Sequence, residues 1–298
     1  MSKIIDSNLS FFGSPVLKII STLRKFLFLG HIFYVGFIYP YVQPRVSIIT
    51  SIYNGDQFIQ GFMEDITRQT IFNQCELILI NANSPGNEEA VIMPYLERYS
   101  NIIYQRLEVD PGLYGVWNLG VKLAHAKYLT NANSDDRLRP DCYEAHARTL
   151  DKHPEIDLVY SACYITQKPN EIFDDRAGLP VLASTVLDFS PQNMAQCPPN
   201  NHPMWRKNMH AKYGLFDEQY KVAGDWEMWL RAVKGGAHFL RVPGVYGLYY
   251  DNPQSLSNAN KQSRARQESG EVGRRYRELF TAQWAKKHGY KKKKQTKH

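Results

Sequence analysis

Cysteine is scarce in this chain. Its four residues, Cys75, Cys142, Cys163 and Cys197, lie far apart and form no CxxC pair. Such spacing speaks against a zinc site and suits reduced thiols in a core. No GxGxxG follows the first strand-like run, which argues against a dinucleotide-binding domain. No internal repeat is found. Long apolar runs are also lacking. Phe26 to Tyr39 is a 14-residue stretch broken by Gly30, His31 and Gly36 and closed by Pro40. Spanning a bilayer takes about 20 apolar residues. No small-residue cleavage site follows the run, so a secretory signal peptide is not expected. The segment suits either an interfacial or embedded anchor or a buried packing element.

What is present is ordinary for a globular protein of 298 residues, with 43% hydrophobic and 22% charged content. That length holds one large domain or two small ones with ample core. Nineteen tyrosines fit a protein that stacks on bases or sugar rings, although many will be core. The net charge of +7 is a property of one end. From Lys261 onward 13 Lys/Arg face three Glu, a net of +10, which leaves −3 for residues 1–260. A solvated terminus explains such a tail. No interleaved aromatics or nucleic-acid module accompany it, so nucleic acid is not an expected partner.

After Pro44 the chain alternates between strand-like and helical patterns. Val46–Thr50 and Glu76–Ile80 read as strands, and Phe58, Phe62 and Ile66 mark one face of the helix between them. A helix over Val91–Tyr99, a strand at Ile102–Gln105 and a helical face of Leu113, Val116, Trp117, Gly120, Leu123 and Ala124 follow. Lys127–Thr130 is the next strand. Alternation in units of this size predicts a parallel sheet covered by helices. Beyond Pro140 come a helix to about Lys152, a strand over Asp157–Ile165, and an irregular stretch from Gln167 to Pro199. A helix opens at Gly224-Asp225, strands are predicted at Phe239–Val242 and Val245–Tyr250, and a basic helix over Lys261–His288.

Asn133-Ser134-Asp135-Asp136-Arg137 stands directly behind the Lys127–Thr130 strand. Adjacent carboxylates cost free energy unless a cation or hydrogen bonds offset them. Ligands of open α/β sheets bind outside the carboxyl ends of strands. The pair therefore suggests a divalent metal with oxygen ligands and, through it, a phosphate. A solvated turn capping the next helix is the alternative.

Taken in order, these pieces resemble family 2 glycosyltransferases over residues 45–250. The matching stretches are Val46-Ser47-Ile48-Ile49 with Tyr53-Asn54-Gly55, Gln69-Thr70, Glu76-Leu77-Ile78, Gly115 to Val121, Asn133 to Asp136, and Gly224 to Arg231. The resemblance implies a GT-A (Rossmann-like) α/β fold with a mostly parallel sheet. It divides the chain into an N-terminal apolar segment (1–44), a GT-A domain (45–255) and a basic C-terminal helix and tail (256–298). Within the domain, 45–139 would bind nucleotide and 140–255 the acceptor.

The implied activity is inverting transfer of a sugar from a nucleoside diphosphate, a UDP-sugar first, to a glycan or lipid-linked acceptor. The implied setting is cytoplasmic, with the N-terminal segment available for membrane attachment. Tyr53 would stack near the base and Asp135 would accept from the ribose, with Ser51, Asn81, Asn83 and Asn118 completing the donor site. Asp136 would hold Mn²⁺ or Mg²⁺ against the diphosphate. Asp225 would be the general base, with Glu227 next in line, and a helix N-cap is its structural alternative. His202, Trp205 and Arg206 are candidates for the acceptor pocket. One departure stands out. Ala82 falls where the family's base-reading Asp is expected, and Asn81 or Asn83 would have to replace it. A sugar-nucleotide or glycan binding module without turnover is the competing reading.

Overall fold

The computed structural model describes residues 43–173, 178–256 and 264–290. The apolar run at 26–39 and the lysine cluster at 291–294 lie outside them. Residues from Gln43 onward form one compact unit.

Strands β1 (Val46–Ile52), β2 (Cys75–Asn81), β3 (Ile102–Arg106) and β4 (Tyr128–Asn131) alternate with helices α1 (Asp56–Thr67), α2 (Glu88–Arg98) and α3 (Leu113–Leu123). Then come β5 (Arg137–Leu138), α4 (Cys142–Lys152) and β6 (Leu158–Thr166). They are followed by β7 (Met204–Arg206), α5 (Met209–Tyr213), α6 (Gly224–Lys234) and β8 (Phe239–Tyr250). Helices α7 (Arg264–Arg275) and α8 (Ala282–Lys287) close the order. All eight strands join one sheet in the order β3-β2-β1-β4-β7-β6-β8-β5. β1 pairs in parallel with both β2 and β4, and β7 runs antiparallel between β4 and β6.

Both faces of the sheet are covered, so β1 and β2 are buried at nearly every position and mostly apolar. Val46, Ile48 and Ile52 pack with Ile59 and Phe62 of α1, Ile92 of α2 and Leu150 of α4. Ile49, Ile78 and Ile80 face the other way, onto Val116 and Val121 of α3 and Trp229 and Val233 of α6. Gly120 makes the α3 contact possible, since a Cβ there would lie 2.4 Å from Ile49 Cγ2.

Two predicted elements differ. The strands expected at 239–242 and 245–250 are one bent strand, β8, whose register against β6 shifts between Ser161 and Cys163. Pro243 and Gly244, at φ 109°, form the bend without ending the pairing. The expected basic helix divides into α7, a 3-10 turn at Arg277–Phe280 and α8. It is not a solvated element. Val272, Tyr276 and Leu279 are buried against α6, and Trp226 stacks with Phe280.

Candidate active site

The strand order reverses between β1 and β4, so their carboxyl ends flank the crevice where open α/β sheets bind ligands. The Asn133–Asp136 turn leaves β4 at this point. Ala132 N still donates to Ile49 O at 3.0 Å, which keeps the turn aligned with β1. Arg137 braces it from behind, donating to the carbonyls of Ser134 (2.9 Å) and Asp136 (2.6 Å). Gly61 on α1 leaves room for that guanidinium, which would sit 2.5 Å from a Cβ.

The two carboxylates of the turn have different surroundings. Asp136 is only 4% exposed. Its Oδ2 accepts from Asn133 Nδ2 and Asn201 Nδ2, each at 3.0 Å, and its Oδ1 from Tyr250 N at 3.1 Å. Burial pushes its carboxyl above the usual range, against those hydrogen bonds. Asp136 is therefore no residue of a solvated turn: it ties the turn to the Asn201 segment and the end of β8. Asp135 is only partly covered, and its Oδ2 accepts from Asn252 Nδ2 at 3.1 Å. Burial first, then the charge of Asp136, push it up to about 6.

The loops after β1 and β2 are tied by a buried carboxylate. Glu88 Oε1 accepts from Gly55 N and Ser84 Oγ, each at 2.7 Å, and Ser84 Oγ accepts from Asn54 N at 2.9 Å. Asn54, at φ 51°, takes the left-handed turn that asparagine tolerates. Tyr53, just before it, is 50% exposed at the crevice. Ser51 is half-buried on β1, in register with Ile80. Asn83 is exposed, at φ 57°, beyond β2. Asn81 is fully buried and its Oδ1 accepts from Ser84 N, so it shapes the loop and does not line the crevice. Arg106, which sequence reasoning missed, donates to Ser84 O at 2.8 Å from the end of β3.

Asp225 lies one residue inside α6. Ala223 holds the N-cap position, so Asp225 is not the cap. Its Oδ1 accepts from Trp226 N at 2.8 Å and from Tyr114 Oη at 3.1 Å. The same hydroxyl reaches Val222 O at 2.8 Å. Burial raises the Asp225 carboxyl, against the amide of Trp226 and the Tyr114 hydroxyl. Gly224 is required beside it, because the Tyr114 ring would lie 2.6 Å from a Cβ. Glu227 is 1% exposed and taken up by Arg231 at 2.8 Å and Tyr276 Oη at 2.6 Å, so it is no reserve base.

Four further expectations are corrected. Asn118 is buried and spent on structure, with Nδ2 donating to Phe216 O and Glu218 Oε1 and Oδ1 accepting from Phe216 N. Trp205 is in the core, donating to His210 Nε2 at 2.9 Å. Arg206 pairs with Tyr128 at the start of β4, at the opposite end of that strand from the acidic turn. It donates there to the carbonyls of Leu150, His153 and Ile156. His202 is 3% exposed and, like His146, is lowered by burial to about 3.

Among the described residues no group of three or more His, Cys, Asp or Glu side chains surrounds a metal position. The donor set nevertheless fits a hard cation that is only partly held by protein. Mg²⁺-type ions are commonly bound by one or two carboxylates plus substrate phosphates. Asp135, raised by burial and then by the neighbouring Asp136 charge, is a carboxylate whose charged form a cation would favour.

The sequence profile of glycosyl transferase family 2 matches residues 47–211. A minor teichoic acid biosynthesis protein of Bacillus subtilis, GgaB, is 32% identical over 38% of this chain, which spans 13% of that protein. An uncharacterized glycosyltransferase of Rickettsia typhi is 26% identical over 68% of this chain and 61% of its own length. Among solved structures, S. aureus TarS 1-349 in complex with UDP-GlcNAc superposes with a TM-score of 0.63 at 16% identity, covering 79% of this chain and 66% of TarS. The Pyrobaculum calidifontis mannosyltransferase PcManGT, in complex with GDP-Man and Mn²⁺, gives 0.55 at 13% identity, covering 81% and 67%. With more than half of its length inside that profile, this chain belongs to glycosyl transferase family 2.

Proposed function

We propose that this protein transfers a sugar from a nucleoside diphosphate to a hydroxyl acceptor with inversion at the anomeric carbon. One observation carries the reading. Two carboxylates have raised proton affinity, Asp135 in the turn behind β4, where the strand order reverses, and Asp225 at the start of α6. The UDP-GlcNAc and GDP-Man complexes of the fold neighbours support a nucleotide-sugar donor.

In this reading Tyr53 stacks on the base, and Asn83, exposed beyond the buried Ala82, reads its edge. Asp135 takes over the metal role expected of Asp136, whose oxygens are occupied by three protein donors. Asp135 would hold a divalent ion, which would supply neutralisation of the charge on the leaving group. Asp225 accepts the proton of the acceptor hydroxyl as that oxygen attacks from the face opposite the diphosphate. Its raised proton affinity suits the task, because a base is most effective with a pKa near working pH.

The test is a panel of UDP-, GDP- and dTDP-sugars, titrated with and without Mn²⁺ and followed for nucleotide release. A transferase binds one donor more tightly in Mn²⁺ and hydrolyses it slowly without acceptor. Binding with no turnover, even with glycan acceptors, would favour a binding module. No binding would end the proposal.

A further inference from the structure

Helix α7 lies beyond the family profile, yet it holds the segment that carries Asp225. Three consecutive backbone amides before α6 turn toward one carboxylate, that of Glu268. Lys221 N lies 3.1 and 3.0 Å from its two oxygens, Val222 N 2.8 Å and Ala223 N 3.2 Å from Oε2. Successive amides of this kind form a nest that favours an anion. Here the anion is a side chain 45–47 residues further along the chain. Burial alone would raise the Glu268 carboxyl, but the amides of Val222, Lys221 and Ala223 bring it below its usual range. Arg264, one turn earlier, donates to Oε1 at 3.1 Å. The helix is anchored on either side of the nest, through Tyr220 Oη to Glu271 (3.0 Å) and Tyr276 Oη to Glu227 (2.6 Å).

The nest bears directly on Asp225. Tyr114 has one hydroxyl proton and two acceptors, Val222 O at 2.8 Å and Asp225 Oδ1 at 3.1 Å. Val222 is also the residue whose amide is held by Glu268. If Val222 leaves its place, the Tyr114 proton goes wholly to Asp225 and makes it a weaker base.

We propose that Glu268 is a positioning residue. By fixing the amides of Lys221–Ala223 it keeps Val222 O on the Tyr114 hydroxyl, and so keeps Asp225 in place and basic. This rests on the reading of Asp225 as the general base.

The experiment compares the full chain with its Glu268→Ala and Glu268→Gln variants. Three quantities are read: donor affinity in Mn²⁺, the pH profile of nucleotide release, and amide hydrogen exchange of residues 221–223. Glu268→Ala is expected to lower turnover at least tenfold, leave the donor Kd within twofold and move the acidic limb of the profile to lower pH. Protection at 221–223 should drop at least tenfold. Glu268→Gln retains an acceptor oxygen and should fall between, and it carries the same test if the alanine variant does not fold. Turnover within twofold of wild type, an unmoved acidic limb, or equal losses of turnover and donor affinity would overturn the proposal. If wild type hydrolyses none of the donors, the transferase reading fails instead. Hydrogen exchange then judges the clamp alone, and retained protection at 221–223 in Glu268→Ala overturns it.

Discussion

The two acidic stations of this protein are built in opposite ways. The turn carrying Asp135 and Asp136 is held by neutral amides from distant segments, Asn201 and Asn252, together with Asn133 and the backbone of Tyr250. Its inner carboxylate accepts from three of those donors, and the outer one, less covered, accepts from Asn252 alone among them. Asp225 instead relies on its own helix and on one tyrosine hydroxyl. The surrounding backbone is fixed by a carboxylate from α7. In the proposed reading the first station would hold a cation, and the second would supply one isolated carboxylate to take up a proton.

The sharpest way to break this contrast is Asp136→Ala. It leaves the buried amide of Asn201, the half-buried amide of Asn133 and one backbone N–H without their acceptor, at about 1–3 kcal/mol each where water cannot enter. Chemical denaturation should show a loss on the order of 3 kcal/mol or more. A near-normal midpoint would mean that Asp136 is not the hub of the turn.

Asp135→Asn should act in the opposite direction. Its folded pKa of about 6 lies above the ordinary value of 3.8, so without metal the charged form costs stability above pH 6. The variant should gain roughly 1–3 kcal/mol over wild type at pH 8. That gain should fade as the pH drops from about 6 toward 3.8, where both side chains are neutral. Thermal melts in chelator across this range check it, and a destabilised variant at pH 8 would contradict it.

Beneath the first station lie two neutral histidines, His146 and His202, whose ring nitrogens have no hydrogen-bond partner among the described residues. Their folded pKa is lowered from 6.5 to about 3, so the unfolded chain takes up their protons first as pH falls. Each therefore contributes stability that is present above pH 6.5 and lost on the way to pH 3. Relative to wild type, His202→Asn should recover about 1.4 kcal/mol between pH 7.5 and 5.5. A difference between the two proteins that stays constant over that range would show that His202 is not held neutral.

The smallest effect is expected from removing residues 1–42, because the chain from Gln43 onward is compact by itself. A protein starting at Gln43 should fold and bind donor within twofold of the full chain. Aggregation of the shortened protein would show that the N-terminal segment covers an apolar face. No helix among the described residues is long and apolar enough to cross a membrane.

Most of the sheet was legible in the sequence because β1 and β2 are buried on both faces and their apolar runs end at turn residues. Local chemistry also marked the turn at Asn133–Asp136 and the start of α6. The division of labour within the acidic pair was not legible, since it depends on Asn201 and Asn252, 65 and 117 residues away from their partners. Asn118 on a helical face gave no sign that Phe216 and Glu218 would occupy its amide. Arg206 misled for a topological reason: β7 runs antiparallel to β4 and carries it away from the crevice. In the C-terminal helix the charge of the surface residues hid a stripe of Val272, Tyr276 and Leu279.

The contrast between the stations is tested most directly by one calorimetric series. Wild type, Asp135→Asn and Asp225→Asn are each titrated with the donor that wild type prefers, with and without Mn²⁺, and nucleotide release is followed on the same samples. Asp135→Asn is expected to lose the Mn²⁺-dependent gain in affinity. Asp225→Asn should keep that gain while release falls roughly 10²-fold or more. An Asp135→Asn protein that still binds more tightly in Mn²⁺, or an Asp225→Asn protein with near-normal release, would contradict the assignment.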